Sequence, residues 1–480
     1  MNSPTDPVVR AASVAGHAVR SVVARDEPER HRARALSDLS SALPSMEAMS
    51  EMGAVILRVA TTPDFHPGRP VPVGVVADVR GAVLPHLIGN DVGCGMRMIA
   101  LEGVTENDLV PGLDARLRHS FFQGGRDVAL TGRDRHAILR EGLPGLLESL
   151  SGPREGLLAR LDLATAWRDL DRTSDDGMFS SSSVDAGFED YARIDDVHRR
   201  DAIMGTVGGG NHFVEFGVVE KVVDGPYANV AGLSRSRVVI VVHSGSLDFG
   251  QRIGTTVKEA LHACRHSVPD HRVLSPEVDE ALYYRYLNGH ANAANAAFAN
   301  RFLIGLAALE ALRSAIGREV GHRLVYDAPH NTVWRDGDVV RHRKGACPAR
   351  GPGALRGGPY EFLGEPVVLP GSMGDGTWLL RGLGSEDGLH SSAHGAGRRL
   401  SRQEARSSAR LDGALRVVGP VDPHDPRVRG RADVVAELEG RLREEAPGAY
   451  RPIETVVDPM VGAGLVGKVA KIRPVLTVKG

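Results

Sequence analysis

Five short motifs combine glycine with residues that can bind metals or transfer groups. They are NDVGCGMR (90–97), GTVGGGNHFVEF (205–216), HSGS (243–246), PHN (329–331) and SSAHGAGR (391–398). Glycine in a tight turn permits positive φ and lets the backbone approach a ligand. A thiolate, imidazoles and a carboxylate form a borderline-soft ligand set, which suits Zn, Mn, Fe or Co better than Ca or Mg. The motifs predict a two-metal centre built from Asp91, Cys94, His212, His243 and His330.

Each motif taken alone also has a structural explanation. A histidine on a strand, such as His243, is more often a hydrogen-bonded polar residue than a metal ligand. Asp91 and Cys94 are equally consistent with a turn carboxylate beside a buried thiol, and Cys94 with a nucleophile that is served by a remote histidine. The sequence contains neither a GxxxxGK[ST] phosphate loop nor a GxSxG elbow. Spacing alone leaves these alternatives open, and only the coincidence of several motifs favours a metal centre.

Composition narrows the classes of protein to which the chain can belong. Its 480 residues are 42% hydrophobic and 25% charged, as in ordinary globular proteins, and the formal net charge is -2. A nucleic-acid partner would therefore have to be held by a local basic patch. The three cysteines indicate no disulfide framework and favour a reducing, cytoplasmic setting. No apolar run is long enough to span a membrane, so we expect no membrane partner.

The elements that must position the motifs mix strands and helices. Helical spacing marks an Arg/Ala-rich lead-in over residues 1–50, with a solvated helix expected over Arg10–Arg25. Further helices are predicted over 105–170, over 276–317 and from Ser401. Strands are predicted over 54–101, 212–223, 236–246, 323–374 and 472–480. A mobile loop is predicted over Asp171–Asp196. Because no βαβ rhythm appears, the predicted fold is α+β, with mixed β-sheets flanked by helices. No linker divides residues 51–480, which we expect to form one large domain.

In this order the motifs resemble those of the RtcB family of RNA ligases. The similarity runs from TPDFHPG (62–68) to VKG (478–480) and so covers most of the chain. Between these ends lie DVGCGM, GTVGGGNHFVEF, HSGS, HN, HRKGA (342–346), PGSMG (370–374), HGAGR (394–398) and AGLVGKVAKIRP (463–474). Any one of these is modest support, but the whole series in the right order is highly specific. The resemblance implies a single large RtcB-like domain.

The resemblance implies how the metal ligands divide between two ions. Members of the family bind two manganese ions. One ion is held at the positions that match Cys94, His212 and His243. The other is held at those that match Asp91, Cys94 and His330, so that the thiolate bridges the two ions.

The resemblance also implies a nucleotide site. His394 matches the nucleophile that takes GMP from GTP. The positions that lie around the phosphates and the guanine match Asn211, Glu215, Asn331, Ser372, Tyr450 and Lys479. Gly395 and Gly397 would give the nucleotide close access to His394, and Arg398 would brace a phosphate.

An activity and partners follow from the same resemblance. The family joins RNA 3′-phosphate or 2′,3′-cyclic phosphate ends to 5′-hydroxyl ends through a histidine–GMP intermediate, and an archease-like activator assists some members. The leading hypothesis is therefore a GTP- and Mn²⁺-dependent ligase of tRNA splicing or RNA repair. One alternative is a metal-dependent phosphoesterase or nuclease acting on RNA ends, for which His394 and GTP would be irrelevant. Another is a catalytically silent module that binds RNA ends.

Two segments depart from the family pattern. Leu247–Phe249 follows HSGS where the family usually has an arginine and small residues. Asp375–Trp378 follows PGSMG where small residues and a tyrosine are usual. Neither segment includes a predicted metal ligand or His394. We hypothesise that guanylylation is retained and that the departures alter the preference for RNA ends.

Overall fold

A computed structural model describes residues 8–24, 27–68, 70–410, 415–422, 425–429 and 431–480. The strands are β1 (Val8–Val14), β2 (His17–Val23), β3 (Val55–His66), β4 (Val73–Arg80), β5 (Gly95–Glu102), β6 (Ala129–Leu130), β7 (Arg199–Arg200), β8 (Phe213–Val222), β9 (Val238–Ser244), β10 (Gly321–Pro329), β11 (Asn331–Asp336), β12 (Val339–Lys344), β13 (Ala346–Pro348), β14 (Pro366–Pro370), β15 (Thr377–Gly382), β16 (Ser391–Ala393), β17 (Val417–Val418) and β18 (Val466–Val478).

The α-helices are α1 (Glu29–Ala42), α2 (Met46–Glu51), α3 (Gly112–Phe122), α4 (Gly132–Ser149), α5 (Leu163–Arg168), α6 (Gly225–Val230), α7 (Asp248–Ala263), α8 (Glu280–Ile316), α9 (Arg402–Ser408), α10 (Pro426–Arg429), α11 (Ala432–Glu444) and α12 (Glu454–Gly462). Short 3-10 helices cover Pro85–Leu87, Glu106–Asp108, Leu157–Arg160, Asp169–Arg172, Ser174–Gly177, Ala186–Phe188, Glu386–Gly388 and Pro447–Ala449.

Two large, mostly antiparallel sheets organise the fold. The six-stranded sheet has the order β1-β2-β3-β4-β12-β11. The eight-stranded sheet has the order β10-β5-β9-β8-β18-β15-β14, with β17 beside β18. Helices pack against these sheets without alternating with parallel strands. The predicted α+β class, with mixed sheets flanked by helices, is confirmed.

Helix α8 is the long helix that the apolar pattern over 276–317 predicts. Asp279 caps its first turn by accepting a hydrogen bond from the N–H of Leu282, and Gly317 ends it in the left-handed region at φ 67°. Most of its residues are buried all round, which marks a helix inside the core rather than on the surface. It packs against α3, α4, α7 and β9 and lies directly behind the candidate site.

The N-terminal region differs from the expected solvated helix. Of the stretch Arg10–Arg25, residues 10–23 belong to the hairpin of β1 and β2, which turns at Ala15 and Gly16, both with positive φ, and Arg25 lies outside the described residues. Buried residues alternate with exposed ones over the first five residues of β2, and this strand period outweighs the helix propensity of arginine and alanine. Strand β2 then pairs in parallel with β3, so the lead-in supplies two strands of the six-stranded sheet.

The segment Asp171–Asp196, expected as a mobile loop, is anchored in several places. Asp175 accepts a hydrogen bond from the Trp334 indole at 2.9 Å, and the N–H of Asp185 donates to the Asn292 side chain at 2.9 Å. Phe188 is buried in the main core. The segment therefore folds as irregular turns held by α8 and β11.

One residue connects the two large sheets. Strand β10 ends at Pro329 in the eight-stranded sheet, and β11 begins at Asn331 in the six-stranded sheet, so only His330 lies between them. The chain thus crosses from one sheet to the other at a predicted metal ligand. Within the described ranges, none of the helices combines the length and apolar character needed to cross a membrane.

Candidate metal and nucleotide site

Four neighbouring strands of the eight-stranded sheet bring the predicted metal ligands together at one end of these strands. Cys94 directly precedes β5, His212 directly precedes β8, His243 lies near the end of β9, and His330 follows the end of β10. Because these neighbours are antiparallel, the start of one strand lies beside the end of the next. The pairing of Met96 with His243 fixes this alignment. Residues that are far apart in sequence therefore meet at one place.

The five ligand side chains converge within bonding range of a shared centre. Cys94 Sγ lies 3.3 Å from His212 Nε2 and 3.2 Å from His243 Nε2. His212 Nε2 lies 3.3 Å from Asp91 Oδ2, and His243 Nε2 lies 3.4 Å from His330 Nε2. We call these five residues the ligand cluster.

The ligand cluster divides into two groups that could each hold a cation. One group is Cys94, His243 and His330, and the other is Asp91, Cys94 and His212. Cys94 belongs to both. The grouping implied by the family resemblance exchanges His212 and His330. Cys94 Sγ lies 3.3 Å from His212 Nε2 and 3.2 Å from His243 Nε2, as that grouping requires, so the division of the ligands between two ions stays a prediction. His330 follows β10 and meets His243, whereas His212 faces Asp91.

The electrostatics of the ligand cluster fit a bound cation. Burial, with the neighbouring histidines, holds the pKa values of His243 and His330 well below the ordinary range, so both imidazoles are neutral. Burial alone would raise the pKa of Asp91, but His212 holds it well below the usual value. Burial and the charge of Asp91 raise the pKa of the Cys94 thiol well above its ordinary value. A thiolate at this position therefore requires a nearby cation.

Helix α8 holds the glycine-rich turns that carry the ligands. The Asn300 amide donates to the carbonyls of Thr206 and Gly245, and its oxygen accepts from the N–H of Gly205 at 2.8 Å. The buried Arg301 donates to the carbonyl of Gly93 at 2.6 Å. Two consecutive residues of one helix thus fix three of the predicted motifs relative to one another.

A cavity of about 270 Å³ opens beside the ligand cluster. This volume lies close to the lower end of the range, roughly 300–1,000 Å³, that is typical of small-molecule sites. Every residue predicted for metal, nucleotide or catalysis lines the cavity except His212, whose Nε2 lies 3.3 Å from both Cys94 Sγ and Asp91 Oδ2. The lining also includes residues that the sequence reasoning left without a role: His66, Lys344, Arg402, Glu445 and Thr477.

His394 is oriented by a buried carboxylate. Its Nδ1 lies 2.7 Å from Asp64 Oδ2, and its backbone N–H donates to the same oxygen at 3.1 Å. Burial alone would raise the pKa of Asp64, but the hydrogen bond from His394 and its charge hold that pKa below the ordinary value. An ionised carboxylate only accepts hydrogen bonds, so Nδ1 carries a hydrogen, and in the neutral form of the ring the lone pair is therefore on Nε2. The His330 ring is 4.8 Å away, centroid to centroid.

Glu445 ties three of the predicted nucleotide residues together. Lys479 Nζ lies 3.6 Å from Glu445 Oε2, Arg398 Nη1 lies 3.3 Å from Oε1, and the Tyr450 hydroxyl donates to Oε2. The Arg398 guanidinium covers one face of the Tyr450 ring at 4.9 Å and also donates to the carbonyl of Glu444. Most of the Arg398 donors are thus engaged within the protein, and its contact with a phosphate stays a prediction.

Glu215 is a buried carboxyl group in the wall of the cavity. Thr477 Oγ1 donates to it at 3.3 Å, and Thr377 Oγ1 lies 3.5 Å from its other oxygen. Burial raises the pKa of Glu215 to about 7, against the lowering effect of these two hydroxyls. A carboxyl with so few internal partners is well placed to bind donor groups of a ligand.

Asn331 and Asn211 both support the ligand cluster from within the wall. Asn331 Nδ2 donates to the carbonyl of Asp91 at 3.2 Å, and its oxygen accepts from the N–H of Gly345 at 2.7 Å. The carbonyl of Asn211 lies 3.0 Å from His243 Nδ1, which leaves His243 Nε2 free for a metal. Ser372 lines the cavity from the turn between β14 and β15, and Gly395 and Gly397 line it beside His394.

Lys344 is a cation in the cavity wall that the sequence reasoning passed over. It belongs to HRKGA, a motif used only as a sign of the family. Burial lowers the pKa of Lys344, while Asp91 and Cys94 act in the opposite direction. Within the described residues its ammonium group forms no ion pair or hydrogen bond, so it is available to an anionic ligand.

The two departures from the family pattern lie mainly outside the cavity. Phe249 and Trp378 are buried in hydrophobic clusters, and the Trp378 indole donates to Glu454 at 3.0 Å. Asp248 pairs with Arg252 on the exposed side of α7. Leu247 adopts positive φ beside the 205–216 turn. Phe249 and Trp378 thus serve packing, and the effect of the two departures on RNA ends stays a prediction.

Fold and site together define a class of α+β protein in which a cluster of side chains that could hold cations and a carboxylate-oriented histidine share one small cavity. The family described as tRNA-splicing ligase RtcB matches residues 45–480. The chain belongs to the RtcB family and is therefore an enzyme of the RNA-ligase class.

Relatives with curated names agree with this assignment. The "tRNA-splicing ligase RtcB" of Pyrobaculum aerophilum is 30% identical over 450 residues, which are 87% of each chain. The "RNA-splicing ligase RtcB" of Mycobacterium tuberculosis is 31% identical over 441 residues, which are 87% of this chain and 96% of the relative. The "tRNA-splicing ligase RtcB" of Thermococcus kodakarensis is 31% identical over 442 residues, 87% of this chain and 86% of the relative.

Proposed function

We propose that the chain is a GTP- and Mn²⁺-dependent RNA ligase that acts in tRNA splicing or RNA repair. It joins RNA 3′-phosphate or 2′,3′-cyclic phosphate ends to 5′-hydroxyl ends through a GMP group carried on His394. One observation carries the proposal: the buried carboxylate of Asp64 orients His394 beside the ligand cluster, in a cavity that also contains Glu215 and Lys479.

The first step forms the histidine–GMP bond. Asp64 holds the Nδ1–H of His394, so the Nε2 lone pair attacks the α-phosphorus of GTP, and the bond to the pyrophosphate oxygen breaks. Two Mn²⁺ ions, held by the two groups of the ligand cluster, would neutralise the triphosphate charge and orient the leaving group. The free ammonium of Lys344 would bind a phosphate oxygen at the same side of the cavity.

The later steps transfer GMP and join the RNA ends. An oxygen of the RNA 3′-phosphate attacks the GMP phosphorus, which releases Nε2 of His394 and leaves the RNA end activated by GMP. The 5′-hydroxyl then loses its proton and attacks the RNA phosphorus, and GMP departs. A 2′,3′-cyclic phosphate enters this sequence after water has opened it to the 3′-phosphate.

Recognition of guanine is assigned to the opposite end of the cavity. Glu215 would accept hydrogen bonds from the base, the free face of Tyr450 would stack on it, and Lys479 would donate to an acceptor atom. Glu445 supports this arrangement by holding both Tyr450 and Lys479. An archease-like activator is part of the proposal on the strength of the family alone.

Labelling with GTP tests the first step. The purified chain is incubated with [α-³²P]GTP and MnCl₂, and acid-labile label on the protein is measured. We expect label on the parent chain and none on His394→Asn. Transfer to an RNA 3′-phosphate and sealing to a 5′-hydroxyl RNA are then followed on gels. Cleavage of RNA ends without GTP, unaffected by His394→Asn, would favour the phosphoesterase or nuclease alternative. RNA binding with neither label nor cleavage would favour the silent binding module.

A further inference from the structure

The backbone around Asp64 forms a wide bulge at the end of β3. Thr61 pairs with Val75 of β4 and His66 pairs with Val73, so residues 62–65 face only Gly74. Gly74 has φ +87°, and a Cβ there would lie 3.0 Å from the Phe65 backbone. A bulge of this kind bends a strand and re-aims a side chain. Here it directs Asp64 towards His394.

A bulge leaves backbone carbonyls without partners in the sheet, and Arg451 supplies hydrogen bonds to them. Arg451 is only 1% exposed. Its Nη1 donates to the carbonyl of Pro63 at 2.6 Å, and its Nη2 donates to that of Phe65 at 3.2 Å. The backbone N–H of Arg451 also donates to the carbonyl of Gly397, in the turn after His394. One arginine therefore clamps the residues on both sides of Asp64.

A carboxylate from the N-terminal segment balances the charge of Arg451. Glu27 Oε1 lies 3.3 Å from Arg451 Nη2, and both side chains are at most 2% exposed. The other Glu27 oxygen lies 3.6 Å from Arg32 of α1. Within the described residues, Glu27 is the carboxylate that pairs with Arg451, and a buried guanidinium without such a partner is strongly disfavoured. Glu27 lies outside residues 45–480, which the family matches.

We propose that Glu27 and Arg451 are positioning residues that set the geometry of the catalytic histidine. Glu27 holds Arg451, Arg451 fixes the bulge, and the bulge keeps Asp64 on His394 Nδ1. The N-terminal segment, outside the part shared with the family, thereby supports the reactive centre. The effect on GMP transfer rests on the proposed function, whereas the effect on the His394 ring does not.

Two variants and one control test this chain of contacts. Glu27→Gln keeps the size of the side chain but removes its charge. Arg451→Lys keeps the charge but cannot span two carbonyls, because an ammonium lacks the planar fork of a guanidinium. The control is Asp387→Asn, which removes an exposed ion pair with Arg20 on the same N-terminal hairpin. The control leaves Arg451 and its partners untouched.

The first measurement is the tautomer of His394. Nitrogen NMR spectra of ¹⁵N-histidine-labelled full chain are recorded without GTP and without paramagnetic manganese, and the signal is assigned with His394→Asn. We expect a single Nδ1–H form in the parent and in the control. Both test variants should show a mixture with the Nε2–H form, since Asp64 no longer stays on Nδ1. A merely structural role for Glu27 would lower the melting temperature without changing the tautomer.

The second measurement is the rate of GMP transfer to His394 at saturating GTP. Misplacement of a reacting group by about 1 Å slows reactions by up to roughly 100-fold, so we expect a loss of about 10- to 100-fold in both variants with little change in KM. A single Nδ1–H form together with the parental rate in Glu27→Gln would overturn the proposal. If the parent itself takes no label, the proposed function fails, and the tautomer alone decides. If Arg451→Lys does not fold, the nearly isosteric Glu27→Gln decides.

Discussion

Replacing Asp64 by asparagine tests how His394 is made reactive. Asp64 is fully buried, and one of its oxygens accepts both the backbone N–H and the Nδ1–H of His394. Because the pKa of Asp64 is held below its ordinary value by these contacts against the effect of burial, the carboxylate is ionised at neutral pH. Asparagine keeps the shape but removes the charge. Its NH₂ group can also turn towards the ring and favour the tautomer with hydrogen on Nε2, where the lone pair is required.

The contacts set the size of the expected effect. A hydrogen bond to a charged group contributes about 1.5–3 kcal/mol, and about 1.4 kcal/mol corresponds to a tenfold change in rate. Loss of this interaction alone would slow GMP transfer about 10- to 150-fold. In serine proteases the corresponding Asp-to-Asn change costs about 10⁴-fold, because the histidine adopts the wrong tautomer. We therefore expect Asp64→Asn to lower the rate between about 10²- and 10⁴-fold.

The assay is the initial rate of His394 labelling by [α-³²P]GTP with saturating Mn²⁺ at neutral pH. Thr62→Val is the matched control, because Thr62 donates a hydrogen bond of 2.5 Å to the other oxygen of the same carboxylate. Asp64 keeps its charge and its hydrogen bonds to His394 in this variant, so labelling should slow by no more than about fivefold, or about 1 kcal/mol. If folded Asp64→Asn labels as fast as Thr62→Val, the carboxylate does not activate the histidine and the reasoning is refuted.

Three further predictions concern metal, pH and nucleotide. Cys94→Ser removes the ligand common to both groups, so calorimetric titration with Mn²⁺ should lose both tight sites; retention of either would contradict a shared thiolate. Burial raises the pKa of Glu215 from 4.5 to about 7. The free-energy cost of burying its negative charge is therefore absent below pH 4.5 and fully present above pH 7. Glu215→Gln should therefore stabilise the metal-free protein by about 3 kcal/mol at pH 8 and hardly at pH 4, as measured by thermal unfolding. Equal stabilisation at both pH values would argue against a buried carboxyl group that titrates between them. Glu445→Gln leaves Lys479 without its counter-charge beside Tyr450 and should raise the KM for GTP at least about tenfold. An unchanged KM would show that Glu445, Lys479 and Tyr450 do not bind the nucleotide.

The ligand cluster could be predicted because its signals are local. Glycine-bracketed motifs mark the ends of strands, and Cys94, His212, His243 and His330 all occupy such ends. The long apolar pattern over 276–317 likewise predicts α8, since a core helix needs no particular partner to be recognised. The meeting of these strand ends at one place could not be predicted, because it depends on the strand order β10-β5-β9-β8, which no local pattern encodes. The division of the ligands between two ions stays a prediction.

Residues that act through long-range contacts could not be found from the sequence. Asp64 lies 330 positions before His394, and Glu27 lies 424 positions before Arg451. Their carboxylates carry no local motif that distinguishes them from surface acids. The TPDFHPG motif did mark the segment of Asp64, but nothing in its spacing revealed the bulge. The helix expected over Arg10–Arg25 is wrong because arginine and alanine content favours a helix, and no regular alternation of apolar and polar residues in the sequence marks β1 or β2 as strands.

The single-residue crossing at His330 limits how the chain can vary in length. Asp64, which orients His394, belongs to the six-stranded sheet, whereas most of the ligand cluster lies at the strand ends of the other sheet. Adding or removing one residue at this junction would turn the side chains of one strand to the opposite face of its sheet, while those of the strand in the other sheet stay in place. Each sheet could still form, but the two halves of the reaction centre would no longer meet. Insertions and deletions among relatives should therefore avoid residues 329–331.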